Sequence, residues 1–67
     1  MKTVKREAEV GERIVITDPQ KGWNAYNNDL KGSIMTVNRA HGLGVYTDET
    51  GRGFYIAHDG YEVIEEN

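Results

Sequence analysis

Cysteine is absent from these 67 residues, proline occurs once, leucine twice, and phenylalanine and tryptophan once each. Without cysteine, no disulfide can brace the fold; the lack is compatible with a reducing compartment. No apolar run approaches the ~18 residues of a membrane-spanning helix. The opening Met1-Lys2-Thr3-Val4-Lys5-Arg6-Glu7 has no apolar signal core behind it, so the expected location is the cytoplasm. Basic residues are also few. Eight Lys and Arg stand against eleven Asp and Glu, a formal net charge of −3, and apart from Lys2, Lys5 and Arg6 the cations are scattered. A nucleic-acid footprint normally neutralises several phosphates with one basic face, so this balance weighs against nucleic acid as the partner.

What the chain does have is regular punctuation. Glycines fall at an almost even step, at Gly11, Gly22, Gly32, Gly42, Gly51 and Gly60, and Val and Ile together outnumber Leu eleven to two. β-Branched side chains favour a pleated surface, and turn signals every ~8–12 residues imply an all-β meander or small barrel. A chain of this length makes one domain, and its core alone supplies only ~3–5 kcal/mol of net stability. The expected organisation is an extended or mobile amino-terminal arm over 1–10, a single domain over 11–65, and a short acidic tail at 66–67.

Five strands are expected within that domain. Gly11 to Thr17 reads as the first, ended by Asp18-Pro19, since proline lacks a ladder donor and restricts the residue before it. Residues 18–31 form the longest connection and carry Trp23 and Tyr26. Gly32 to Asn38 is the second strand, Leu43 to Thr47 the third, and the fourth ends at Ala57. A His58-Asp59-Gly60 turn then leads into Tyr61 to Glu65 as the fifth. Asp48-Glu49-Thr50-Gly51 reads as a type I turn with a left-handed Gly51, a three-residue loop that sets Asp48 opposite Arg52. Tyr46 then faces Phe54 and Val45 faces Tyr55. The face of Phe54 and Ile56 is assigned to the core, which leaves Val45, Thr47 and Tyr55 outside. The expected core is Val10, Ile14, Ile16, Ile34, Val37, Phe54, Ile56 and Val63.

Five short strands, a long first loop, a tight third hairpin and a one-turn link before the last strand resemble the order of parts in an SH3-like barrel. Gly11-Glu12-Arg13-Ile14-Val15-Ile16, then Lys31-Gly32-Ser33-Ile34, then Gly44-Val45-Tyr46-Thr47-Asp48-Glu49-Thr50-Gly51 are similar to the small barrels that include KOW-type domains and phage or prophage proteins of the YorP type. The resemblance covers about residues 10–65. It implies a small accessory protein that binds a host or phage protein. A KOW motif places a second glycine shortly before the one matched by Gly32, among basic residues, and here Asp29 stands there. Proline-binding SH3 domains carry paired tryptophans where this chain has His41-Gly42-Leu43-Gly44, so a PxxP ligand has little support.

Catalytic and cofactor constellations are missing. Gly42-Leu43-Gly44 and Gly51-Arg52-Gly53 lack both the third glycine and the following helix of a phosphate loop. In Asn27-Asn28-Asp29-Leu30-Lys31-Gly32 a lysine stands where a calcium loop needs an oxygen ligand. His41 and His58 are two imidazoles where zinc needs three or four ligands, and Ser33 with either of them makes no better than a chance triad. No enzyme, metal or cofactor is therefore expected. The aromatics remain. Trp23, Tyr26, Tyr46, Tyr55 and Tyr61 are the rings that could carry recognition, because large rings bury area with few torsions to freeze, and of these Trp23, Tyr26, Tyr55 and Tyr61 are the candidates for a protein-binding surface. The competing reading makes some of them core, Trp23 and Tyr61 above all. A KOW-like nucleic-acid module using Lys21, Lys31, Arg39 and Arg52 is the alternative.

Overall fold

A computed structural model describes residues 2–19, 30–49 and 52–65; Trp23, Tyr26, Gly51 and the tail lie outside these, and with them the expectations placed there. The described residues are all-β, as the composition requires. Strands β1 (Lys2–Val4), β2 (Arg13–Ile16), β3 (Ile34–Ala40), β4 (Gly44–Glu49), β5 (Arg52–Ala57) and β6 (Tyr61–Glu65) pair antiparallel in the order β1-β6-β2-β3-β4-β5. A 3-10 turn, His58–Gly60, joins β5 to β6. The order is open, with β1 and β5 at its ends, and it holds six strands where five were expected.

The additional strand comes from the segment read as an arm. Lys2, Thr3 and Val4 sit opposite Glu65, Ile64 and Val63, and the Thr3 hydroxyl donates to Glu62 Oε1 at 2.8 Å. Two apolar residues could not announce a strand whose stability comes from pairing with the far end of the chain. Arg6 completes the attachment. Its Nη1 and Nη2 donate to Glu12 Oε1 and Oε2 at 2.9 and 2.6 Å, and its Nε donates to Glu65 Oε2 at 3.3 Å.

That clasp has a pH signature. The Arg6 guanidinium, and after it the backbone N–H of Glu9 at 2.7 Å, hold the Glu12 carboxyl at about 2, below its ordinary 4.5. A carboxyl with a depressed folded-state pKa contributes stability that is complete above pH 4.5 and is lost as the pH falls toward 2. Glu12→Gln should therefore flatten the decline of the urea midpoint between those two pH values. An equally steep decline in the variant would show that the clasp does not anchor the arm.

Ile14, Ile16, Val37, Ile56 and Val63 are buried as expected, and Phe54 packs against their cluster. Two expected core residues are not: Val10 is 64% exposed and Ile34 41%. Val10 precedes Gly11, whose φ of 92° turns the chain, and the inward residue of that segment is Ala8. In β3 the residues alternate, so Met35 and Val37 point inward and Ile34 points out opposite Val15. Three positions apart, Ile34 and Val37 cannot share a face of a regular strand.

The β4–β5 register is also offset by one from expectation. Glu49, not Asp48, stands opposite Arg52, which aligns Tyr46 with Tyr55, Thr47 with Phe54 and Val45 with Ile56. One residue of slip exchanges the faces of a strand. Val45 and Thr47, expected outside, are buried, while Tyr46 is 40% exposed. The Thr47 hydroxyl finds partners inside, donating to Met35 Sδ at 3.2 Å with Phe54 O at 3.4 Å. The faces of β5 stand as expected: Ile56 is buried, and Tyr55 lies on the outer face with Tyr46.

Candidate functional site

Among the described residues, the outer face of β3, β4 and β5 brings together Tyr46, Tyr55 and Arg39. Register sets Arg39 opposite Tyr46, and a bulge between Val37 and Arg39 resets β3 so that Arg39 arrives on the outer side. The Arg39 guanidinium carbon lies 5.9 Å from the centre of the Tyr46 ring. On its other sides Tyr46 meets Tyr55, with ring centres 5.0 Å apart and planes at 57°, and His41, edge-on at 5.1 Å. Beside them Leu43, at the tip of the β3–β4 turn, is 69% exposed.

This turn is held from beneath by a chain of hydrogen bonds. The Ala8 N–H donates to the Tyr61 hydroxyl oxygen at 3.0 Å, and that hydroxyl is within bonding distance, 2.5 Å, of His58 Nδ1. His58 Nε2 lies 2.7 Å from the His41 carbonyl, and the His58 backbone N–H donates to the Leu43 carbonyl at 3.2 Å. A carbonyl can only accept, so the network assigns a proton to Nε2. Burial pushes the Tyr61 hydroxyl above the ordinary tyrosine range. Amino-terminal segment, 3-10 turn and β3–β4 turn are thus joined through two side chains, Tyr61 and His58.

Of the four candidates from the sequence, Tyr55 lies in this cluster, half-buried. Tyr61 is fully buried, so its ring offers nothing to a partner; its hydroxyl is satisfied by Ala8, far away in sequence, and by nearby His58, which fixes it as a structural peg. Trp23 and Tyr26 belong to the segment not described. Arg39 was expected to serve only in the nucleic-acid alternative, and Tyr46 was read as facing the core; the reading missed both as neighbours of Tyr55. The alternation of β-branched Val45 and Thr47 around an amphipathic Tyr46 was the available signal.

Among the described residues no group of three His, Cys, Asp or Glu side chains could hold a metal ion, and no helix is long and apolar enough to cross a membrane. Compared with family models, curated proteins and solved structures, the chain finds no match.

Proposed function

We propose that this chain is a small, cytoplasmic protein-interaction module on an SH3-like barrel, of the phage or prophage accessory kind, and that it binds its partner through the outer face of β3, β4 and β5. Support for the barrel comes from the sequence of parts: a long connection after β2, successive antiparallel neighbours β2 to β5, and a single 3-10 turn before β6. The observation that carries the function is Tyr46. A large ring left 40% exposed, braced by Tyr55 and His41 on a turn pinned to the core, matches the rigid aromatic anchors that dominate protein interfaces. The net charge of −3 weighs against a polyphosphate partner.

A photo-reactive phenylalanine derivative in place of Leu43 tests this reading with little perturbation, because Leu43 is the most exposed of the large apolar residues described. Irradiation in lysate should give a discrete protein adduct that survives nuclease and is lost when Tyr46→Ala is added. Adducts that disappear with nuclease would favour the KOW-like alternative instead.

A further inference from the structure

We infer that the partner segment this face accepts is an extended acidic peptide, whose carboxylate is taken by Arg39, Tyr46 and His41 while Leu43 contacts the apolar residue beside it. The inference rests on the protein-interaction reading and adds the chemistry of the ligand.

In this chain carboxylates outnumber cations, and Arg6 is claimed by both Glu12 and Glu65. Arg39 is different. It is exposed, and among the described residues its only contact of this kind is the Tyr46 ring. A cation–π contact at 5.9 Å uses none of the guanidinium N–H donors. It also restricts the side chain before any ligand arrives, so less rotamer entropy is lost on binding. Beside it, the Tyr46 hydroxyl and the His41 ring nitrogens have no hydrogen-bond partner among the described residues. A guanidinium with no hydrogen-bond partner among the described residues, flanked by a phenol and an imidazole, is a donor set for one anion.

The form of that anion follows from the count of cations. A nucleic-acid strand presents a phosphate at every step, and its affinity grows with the number neutralised. Among the described residues of this cluster a single arginine lies with the rings and an exposed leucine. One planar carboxylate suits one guanidinium in a bidentate pair, and an apolar neighbour suits Leu43 and the Tyr46 edge. Extended peptides offer such a pair within two successive residues.

Panning a random-peptide display library against the intact chain tests the inference. Enriched sequences should carry Asp or Glu within a residue or two of Leu, Ile or Phe. A synthetic consensus peptide should bind Arg39→Ala about tenfold more weakly, the scale of one charge-assisted pair. Arg39→Lys should recover only part of the loss, and panning on Arg39→Glu should enrich basic peptides instead. Because Arg39 is exposed, all three variants should keep the parental melt. Enrichment of neutral or basic peptides, or undiminished binding of the consensus to Arg39→Glu, would overturn the acidic ligand while leaving the protein-interaction reading standing. No enrichment at all would overturn it too, and the cross-link from position 43 would then decide whether a folded protein surface is bound. A labelled single-stranded oligonucleotide serves as a parallel probe. If it binds more tightly than any peptide and is lost on Arg39→Glu, both readings fall to nucleic acid.

Discussion

Tyr61→Ala should abolish the cooperative melt of this chain. The ring is fully buried in the cluster of Ile14, Ile16, Met35, Val37, Val45, Ile56 and Val63. Truncating a buried aromatic costs ~3–5 kcal/mol, about the whole net stability expected of a chain this short without disulfides. Packing and hydrogen bonding can be separated by Tyr61→Phe, which keeps the ring. That variant leaves the Ala8 N–H and His58 Nδ1 without their common partner, a loss on the order of 1–3 kcal/mol. Hydrogen exchange should then quicken at Ala8 and in the β3–β4 turn before it quickens in β2 or β6, since the network ties those two segments together. If Tyr61→Phe keeps the parental urea midpoint and exchange pattern, the hydroxyl holds nothing in place.

Local rules carried the sequence reading as far as local rules reach. The link His58–Gly60 and the last strand, Tyr61–Glu65, fall where the residues place them, because glycine punctuation and β-branched alternation are properties of neighbouring positions. The inward face of β5 was legible for the same reason, from Phe54 and Ile56. Errors entered where a parity had to be carried across a turn. Counting three loop residues after Asp48 instead of two after Glu49 exchanged the faces of β4, sent Val45 and Thr47 outward, and hid Tyr46 among the core residues. That single step separated Tyr55 from its neighbour Tyr46 in the candidate site. Other features were never local. Strand β1 exists through pairs such as Lys2 with Glu65, and the role of Tyr61 depends on Ala8, 53 positions away in the chain. No spacing rule connects such residues before the sheet is assembled.

Gly44→Ala should destabilise the fold by ~1–3 kcal/mol, toward the upper end of what overpacking costs. Gly44 begins β4 opposite Ala57, and a Cβ there would lie 2.5 Å from the Ile56 carbonyl oxygen and 2.9 Å from both Cζ and the hydroxyl oxygen of Tyr55. The phenol end can swing away. The carbonyl cannot, because it belongs to the neighbouring strand, whose movement would disturb Ile56 in the core. Adding Tyr55→Ala to Gly44→Ala should therefore fail to restore the urea midpoint, since the backbone contact remains. Gly42→Ala is the matched control: it lies two residues earlier in the same turn, nothing stands within 4 Å of its added Cβ, and its midpoint should stay close to the parental value. The site should feel the difference as well. Displacing Tyr55 removes the ring that braces Tyr46 at 5.0 Å, so any partner affinity that depends on Tyr46 should fall in Gly44→Ala and persist in Gly42→Ala. Equal midpoints for the two glycine variants would mean that β4 and β5 are not packed as closely as Gly44 allows, and the arrangement of Tyr46, Tyr55 and Arg39 would have to be redrawn.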